Sequence, residues 1–363
     1  MAINRMELKD FLVFKGDFTA EFCPGVNVLI GGNATGKTTL LKIMYSSLKE
    51  YDIYYQHYLK AKDNIENSFL SIGLARFNAE SVNEKSEPKT VIPLIPENPW
   101  SDRVDELFGV NGHLNNENEA YYKTYCYGVK GEITIGFSEK PEITSYIPEK
   151  DILEHAKGLL TFIEQKQTGF SQIYKDVLVN AQDVPTQKQS ETQKIVGQKI
   201  AETICGNVHW DKGDGYFYTL RTDGTRIPFT NEASGYKKLG FLGLLVTSGQ
   251  LENGSVLFWD EPENSLNPGL VTKLVDILLN LAQNGVQIFI ATHDYHLARY
   301  FDVRKDKSVP VMFHNLSKAD NDQIVCQSSQ EYVKLPDNLL EKASKDLFNA
   351  VVKDAMGMHD NEQ

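Results

Sequence analysis

The sequence has few cysteines and no long hydrophobic run. Its four cysteines are far apart along the chain: Cys23, Cys126, Cys205 and Cys326. Because they lack metal-binding spacing, the sequence predicts reduced thiols rather than a disulfide framework or a zinc site. No apolar run approaches the roughly 20 residues that cross a bilayer. The first ten residues, MAINRMELKD, are too charged for a secretion signal. We therefore expect a cytoplasmic protein with no membrane partner.

The chain also lacks an excess of basic residues. Its formal net charge is −12, which disfavours a generally basic surface that coats nucleic acid. A local basic groove is compatible with this total, so a nucleic-acid partner stays open. The sequence contains no internal repeat or low-complexity block. With 363 residues, 41% of them hydrophobic, the chain has room for two domains or for one large α/β domain with an inserted lobe.

The most specific motif is GGNATGKTT, which fits the pattern G-x-x-x-x-G-K-[ST]. An apolar strand pattern precedes it and a helical pattern follows it, as a phosphate-binding loop requires. We expect Lys37 to reach the β and γ phosphates of a nucleotide and Thr38 to hold Mg²⁺ through its hydroxyl. Backbone N–H groups of the loop and the helix N-terminus would bind the phosphate oxygens. The predicted nucleotide-binding residues of this loop are Gly31, Asn33, Ala34, Thr35, Gly36, Lys37, Thr38 and Thr39.

Two further apolar strand patterns end in residues that suit phosphate chemistry. VLFWDE ends in Asp260, which we expect to act on Mg²⁺, and in Glu261, which we expect to activate the attacking water as a general base. IFIATH ends in His293, which could be a structural or helix-capping residue or could contact the γ-phosphate. Ligands bind at the carboxyl ends of strands in open α/β sheets. The sequence therefore favours one site built from three strand ends.

The stretch TNEASGYKKLGFLG predicts an apolar helix preceded by a polar loop. Ser234 and Gly235 stand at its start, and a hydroxyl with bare backbone amides at a helix N-terminus is an anion-binding arrangement. An ordinary helix cap explains the same residues equally well when they are considered alone. The two interpretations differ in whether Ser234 has a partner outside its own helix.

The rest of the chain divides into three segments. Residues 1–150 contain a predicted strand pair, the phosphate loop and an insert, in which nine of the 17 tyrosines lie between Tyr51 and Tyr146. Those tyrosines indicate either a half-buried β-sheet or a partner-binding face. The insert ends in a predicted hairpin with its turn near residues 129–131. Residues 151–250 form a helical lobe with short strands, and residues 251–363 carry the acidic pair, His293 and a closing helix.

Together these motifs resemble those of the ATP-binding-cassette (ABC) ATPases. In that family GGNATGKTT is the Walker A motif, SVLFWDE contains the Walker B motif and the catalytic Glu, ENSLNP is similar to the D-loop, ATHD to the switch-histidine loop and EASGYKKLG to the signature motif. The resemblance implies an α/β P-loop NTPase of ABC type, with an N-terminal antiparallel β subdomain and an inserted helical lobe that carries the signature. It also implies ATP and Mg²⁺ as cofactors. The signature Ser234 and Gly235 would then bind the γ-phosphate held by a second, head-to-tail copy.

The strand pair at the start and the motif DEPENSLNP look like the SMC/RecF/OLD-like branch of these ATPases. SYIPEKDILEHAKGL is similar to a segment of stand-alone AAA-family ATPases in anti-phage systems such as Septu and PARIS. That resemblance implies an ATPase or sensor subunit that controls a separate nuclease or toxin. Asn267 departs from the acid or histidine that commonly ends the D-loop. The glutamine of the Q-loop has no clear equivalent, although residues 148–150 are candidates for its place.

Three other functions remain as alternatives. A transporter-energising subunit would have its signature motif about one hundred residues after the P-loop, whereas 197 residues separate Lys37 from Ser234 here (234 − 37). A RecF-like repair ATPase would bind DNA directly, in a salt-dependent manner. A P-loop kinase would not need the signature motif or His293.

Overall fold

The computed structural model describes residues 2–49, 109–116, 119–126, 129–138, 141, 143–165, 172–182 and 189–356. Most of the tyrosine-rich insert lies outside these ranges. The prediction of a partner-binding face on the insert therefore concerns residues outside the described ones. Within the ranges, no helix has the length and apolarity needed to span a membrane.

Fourteen strands are present in the described part of the chain. They are Ile3–Phe11 (β1), Phe14–Glu21 (β2), Val26–Gly31 (β3), Gly109–Asn116 (β4), Glu119–Cys126 (β5), Val129–Phe137 (β6), Thr144–Ile147 (β7), Gly206–Asp211 (β8), Tyr216–Arg221 (β9), Arg226–Pro228 (β10), Val256–Asp260 (β11), Gln287–Ala291 (β12), Val311–Lys318 (β13) and Ile324–Ser329 (β14).

The same ranges contain eight α-helices. They are residues 37–49 (α1), Ala156–Gln165 (α2), Gln172–Gln182 (α3), Glu191–Ile204 (α4), Ser234–Thr247 (α5), Pro268–Gln283 (α6), Tyr295–Arg304 (α7) and Leu339–Ala355 (α8). The starts of α4 and α6 follow ordinary capping chemistry. Ser190 and Gln193 form a capping box at α4, and Asn267 caps α6 just before a proline at its first position. The departure noted at Asn267 therefore has a local reason, since its side chain accepts a hydrogen bond from the Gly269 N–H at 2.9 Å.

A six-stranded sheet forms the centre of the protein. Its order is β14-β13-β3-β12-β11-β7, and all neighbouring strands are parallel except β13 and β14. Every residue of β3, β11 and β12 is buried, which explains why these strands are continuous apolar runs rather than alternating ones. The predicted mixed α/β fold with a parallel-rich sheet is confirmed.

A second sheet is antiparallel and has the order β2-β1-β6-β5-β4. The strands after the insert thus extend the N-terminal strand pair, because β6 pairs with β1. The expected hairpin is β5 and β6, and residues 129–131 begin β6 next to its turn, since Cys126 pairs with Val129. Gly131 serves close packing instead of a turn, since a Cβ there would lie 2.7 Å from the Phe11 ring.

The third sheet, β10-β9-β8, packs beside α4 and α5. It approaches α5 closely at Gly240, where a Cβ would lie 2.5 Å from a methyl group of Val208. Because Gly240 has no side chain, the backbone of α5 can lie close to β8. This contact fixes the position of the helix that begins at Ser234.

The parallel arrangement brings four strand ends to one edge of the central sheet. The phosphate loop follows β3, residues 148–150 follow β7, Glu261 follows β11 and Thr292 follows β12. The carboxyl edge of an open parallel sheet is where ligands bind in this class of fold.

A buried polar network joins β3, β13 and β14 below this edge. The fully buried His314 contacts Ser328 Oγ through Nδ1 at 2.7 Å and Asn27 Oδ1 through Nε2 at 3.1 Å. Since the amide oxygen can only accept, we assign the ring proton to Nε2 and let Ser328 donate to Nδ1. Burial lowers the pKa of His314 from 6.5 to about 3.

We expect this histidine to make the protein less stable in acid. The folded state resists protonation down to a pKa of about 3, whereas the unfolded chain binds the proton near 6.5, so stability rises with pH between these values. Going from pH 7 to pH 5 should cost the wild type about 2 kcal/mol more than His314→Gln, which does not titrate. Urea unfolding at both pH values measures the difference. Equal losses in the two proteins would contradict this prediction.

Candidate nucleotide-binding site

The loop between β3 and α1 needs glycine at both ends. Gly31 has φ +144°, and a Cβ there would lie 2.2 Å from the Leu316 carbonyl oxygen; Gly36 has φ +87° and is packed against Val13 and Phe14. Side chains would therefore be both strained and blocked at these two positions. The loop curls back on itself, with Thr35 Oγ1 donating to the Gly32 carbonyl at 2.9 Å.

The remaining predicted loop residues occupy different positions. Asn33 and Ala34 are exposed, and Ala34 has a left-handed φ of +59°. Thr38 and Thr39 are half-buried in the first turn of α1. The loop thus offers backbone groups at its tip and hydroxyl groups at the helix N-terminus, which together suit an anion.

Lys37 points into the loop rather than into solvent. Its ammonium donates to the carbonyls of Gly31 and Gly32, both at 3.0 Å, and lies 3.4 Å from His293 Nδ1. Burial lowers the pKa of Lys37, and the carboxylates of Glu261 and Asp260 act in the opposite direction. A cation is thus held within the loop, where phosphate oxygens would meet it.

Thr38 and Asp260 form the predicted metal position. Thr38 Oγ1 donates to Asp260 Oδ1 at 2.9 Å, and Asp260 is buried at the end of β11. Burial raises the pKa of Asp260, while the bond from Thr38 lowers it. Thr38 and Asp260 both offer oxygen ligands, which are the kind that Mg²⁺ prefers. No cluster of three metal-ligating side chains occurs in the described residues. Two protein ligands with phosphate and water completing the shell is the usual magnesium arrangement in nucleotide sites, so the residues fit the ion.

Glu261 lies in a strained turn directly after β11. Its φ is +46°, in the left-handed region that non-glycine residues seldom adopt. The turn is held at both ends of the residue: the Glu261 N–H donates to the Ala291 carbonyl at 2.9 Å, and the Glu261 carbonyl accepts from Lys238 Nζ at 2.8 Å. Burial, followed by the carboxyl group of Glu263, raises the pKa of Glu261 to about 8. Such a value suits a general base near neutral pH.

His293 joins the two halves of the site. Its Nε2 lies 3.3 Å from Glu261 Oε1, opposite the contact of Nδ1 with Lys37. Burial and the charge of Lys37 lower the pKa of His293. The strand itself ends two residues earlier, at Ala291, and Asp294 rather than His293 caps the following helix α7. The helix-capping interpretation of His293 is therefore wrong, because a neighbouring carboxylate does that work.

Sequence reasoning missed Glu263. Its carboxylate accepts a hydrogen bond from the Thr292 hydroxyl and another from the His293 N–H at 3.3 Å, so it ties the end of β12 to the segment after β11. The repeated acid in DEPE was the available signal. The first glutamate of this motif, Glu261, is the expected base, whereas the second, Glu263, holds the loop.

The segment after β7, the candidate for the place of the Q-loop, contains the acid Glu149. Glu149 Oε1 accepts from Asn264 Nδ2 at 3.0 Å, which links this segment to the stretch that resembles a D-loop. Glu149 also acts electrostatically on Asp260 and His293. A carboxylate therefore faces the site from the fourth strand end, in the segment that is the candidate for the place of the Q-loop.

Ser234 and Gly235 begin α5 and take no part in the contacts that join Lys37, His293 and Glu261. The N-cap of α5 is Ala233, so Ser234 is the first helical residue, and its exposed side chain has no hydrogen-bond partner within the described ranges. Gly235 faces the segment after β11, since a Cβ would lie 3.1 Å from the Ser265 carbonyl oxygen. The interpretation of Ser234 as a plain N-cap is therefore wrong.

The entry to α5 is held by an ion pair. Arg221 donates to both carboxylate oxygens of Glu232 at 2.9 Å, and Glu232 Oε1 also accepts from the Ala233 N–H at 3.0 Å. The Arg221 guanidinium also lies 5.6 Å from the centre of the Tyr236 ring. These contacts fix the start of α5 without using Ser234.

Two lysines of the same helix are buried, which the sequence did not suggest. Lys237 pairs with Glu154 and, at 3.8 Å, with Asp151, whereas Lys238 bonds to the Glu261 carbonyl. Burial lowers the pKa of Lys238, with surrounding carboxylates opposing the shift. Two adjacent lysines in the first turn of a helix usually indicate a face exposed to solvent. Their burial therefore becomes visible only in the folded structure.

Residues 137–299 match the family model AAA_21, described as "AAA domain, putative AbiEii toxin, Type IV TA system". No curated protein matches the sequence. The fold is similar to three solved SMC heads. One, bound to the C-winged helix domain of ScpA, has 13% identity and a TM-score of 0.49, over 95% of this chain and 100% of that chain. The head domain from Thermotoga maritima has 12% identity and a TM-score of 0.42, over 91% and 99%.

The third is an Smc head with an extended coiled coil, bound to the C-terminal domain of ScpA derived from Pyrococcus furiosus. It has 11% identity and a TM-score of 0.48, over 96% of this chain and 99% of that chain. Residues 137–299 are thus similar to an AAA domain, and the P-loop and the parallel sheet beside them fit a nucleotide-binding fold.

Proposed function

We propose that this protein hydrolyses ATP in composite sites formed by two head-to-tail copies. At the sheet edge, His293 contacts both Lys37 and Glu261. The observation that supports this proposal is the exposed hydroxyl of Ser234 at the start of α5, which has no hydrogen-bond partner among the described residues. A helix N-terminus of this kind is an anion site. The partner copy would supply the phosphate.

Each side chain at the sheet edge has a role that follows from its contacts. Lys37 and the loop amides would bind the β and γ phosphates, and Thr38 and Asp260 would hold Mg²⁺, which supplies charge neutralisation of the phosphates. Glu261 would orient the attacking water and accept its proton. His293, lying between Lys37 and Glu261, is placed to contact the γ-phosphate and the base together.

Nucleotide then controls the association of the two copies. With ATP bound, the γ-phosphate completes contacts to Ser234 and Gly235 of the partner, and hydrolysis removes them. Such a γ-phosphate-dependent interface is a two-state switch. The Arg221–Glu232 pair, which holds the start of α5, supports this role because it keeps the helix N-terminus in place without occupying Ser234.

We further propose that the switch belongs to a bacterial anti-phage defence system and controls a separate nuclease or toxin. The family description, which names a toxin of a type IV toxin–antitoxin system, supports a conflict-related role. Expression of the gene with its neighbouring open reading frames tests this part. We expect plaque counts to fall with the wild type and to stay high with Lys37→Ala. Equal plaque counts would contradict the defence role and leave the ATPase proposal untouched.

The composite site itself is tested by mixing two inactive variants. Ser234→Arg should keep ATP binding through its intact phosphate loop but lose turnover, and Lys37→Ala should lose its own ATP binding while keeping an intact signature. In a mixture, about half of the dimers are heterodimers, each with one complete site, so about one quarter of wild-type activity should return. Phosphate release measures it.

A purely local role of Ser234 predicts the opposite result. Each chain would then carry a substitution that inactivates its own site, and mixing the two variants would restore no ATPase activity. Titration of a fluorescent ATP analogue into Ser234→Arg provides the control, because a loss of binding equal to that of Lys37→Ala would also place Ser234 within its own nucleotide site.

A further inference from the structure

The strained turn at Glu261 has an external support. Its carbonyl accepts from the Asn264 N–H at 3.1 Å within the segment after β11, and also from Lys238 Nζ at 2.8 Å, 23 positions earlier. A non-glycine residue at φ +46° costs free energy and persists only where its surroundings hold it. The Glu261 N–H is held by Ala291 of β12, and Lys238 is the side chain from another helix that holds the carbonyl together with the local Asn264 N–H.

Lys238 is costly to bury and has no packing reason to be there. It is only 6% exposed, in a helix whose neighbouring positions Leu239 and Leu242 are apolar and fully buried. An ammonium in such surroundings is retained only with charged and hydrogen-bonding partners. Four carboxylates act on it electrostatically, namely Glu263, Glu149, Asp151 and Glu261. All of them belong to segments that follow β7 or β11.

We propose that Lys238 is a positioning residue that holds the Glu261 turn, so that the carboxylate faces His293 and the phosphate loop. The inference rests on the proposed function, since it assigns a role in ATP turnover at that site. Lys238 touches no reacting atom. Lys238 keeps the Glu261 carboxylate oriented, so its loss should slow the chemical step. Nucleotide binding should change little, because it depends on Lys37 and the phosphate loop.

The helix provides a matched comparison in the adjacent lysine. Lys237 is also 6% exposed, but it pairs with Glu154 and Asp151 and does not contact the Glu261 turn. Lys238→Met should lower kcat by up to about 100-fold, the scale of a misplaced catalytic group, with KM for ATP changed less than about threefold. Lys238→Arg should recover part of kcat. Lys237→Met should lower thermal stability yet leave kcat within about threefold.

The mixing experiment separates positioning of Glu261 from a general effect on α5. In a mixture of Ser234→Arg and Lys37→Ala chains, the active site uses Glu261 of the first chain and the signature of the second. Lys238→Met added to the Ser234→Arg chain should abolish the recovered activity. Lys238→Met added to the Lys37→Ala chain should leave it.

Three results would overturn this inference. They are an unchanged kcat in Lys238→Met, an equal fall of kcat in Lys237→Met, and a loss of recovered activity when the change lies only on the Lys37→Ala chain. Failure of the parent mixture to recover activity would instead count against the composite-site proposal. The two failures are therefore distinguishable.

Discussion

Lys37→Ala is expected to weaken ATP binding by at least about 100-fold. The ammonium lies inside the loop, 3.0 Å from two of its carbonyls, and so is aimed at the position of the phosphates. Charge-assisted hydrogen bonds contribute roughly 1.5–3 kcal/mol each, and loss of about 3 kcal/mol corresponds to about two orders of magnitude in affinity. Isothermal titration with ATP and Mg²⁺ measures the change.

A matched substitution separates the contact from the loss of charge. Lys273 is an exposed lysine of α6, and Lys273→Ala should bind ATP like the wild type. Thermal unfolding of both variants checks that the fold is retained. Affinity within about threefold of wild type in Lys37→Ala would contradict the assignment of this loop as the phosphate site.

Glu261→Gln is expected to bind ATP, lose turnover by about 10²–10⁴-fold and accumulate as a dimer. The amide cannot accept the proton of the attacking water but has nearly the same shape. Because burial raises the pKa of Glu261 to about 8, its surroundings already disfavour the charged form, and the neutral amide adds no desolvation cost. The fold should therefore be preserved. Light scattering after size-exclusion chromatography in Mg·ATP measures the mass.

The double variant Glu261→Gln/Ser234→Arg is the control for this dimer. It keeps the phosphate loop and the inactive base but replaces the exposed hydroxyl at the start of α5 with a bulky cation. We expect it to bind ATP and to remain monomeric. A monomeric Glu261→Gln protein in saturating ATP would refute the composite-site model, and a dimeric double variant would place the interface elsewhere.

Much of the site could be predicted because its residues follow local patterns. The loop from Gly31 to Thr38 requires two glycines for steric reasons, and those reasons are visible as spacing in the sequence. Asp260 follows a continuous apolar run, which predicts a buried strand and places the residue at its end. Thr38 and Asp260 then meet at 2.9 Å, although 222 positions separate them.

The supporting residues could not be predicted in the same way. Glu263 and Lys238 act through contacts between segments, and neither stands at a position that a strand or helix pattern singles out. The true N-cap of α5, Ala233, was missed because Ser234 is the better capping residue by type. In this case the Arg221–Glu232 pair organises the start of the helix, so the local preference does not decide its boundary.

The phosphate loop, the buried strands and the chemistry available at their ends follow from residue type and short-range spacing. Which of those groups meet depends on the packing of distant segments. Pairing of β6 with β1, burial of Lys238 and the exposure of Ser234 all depend on how distant segments pack, and packing energies are shared among many residues rather than encoded in one motif. The residues of the phosphate site can therefore be predicted from the sequence, whereas the contact of Lys238 with the Glu261 turn and the exposure of Ser234 can be seen only in the folded structure.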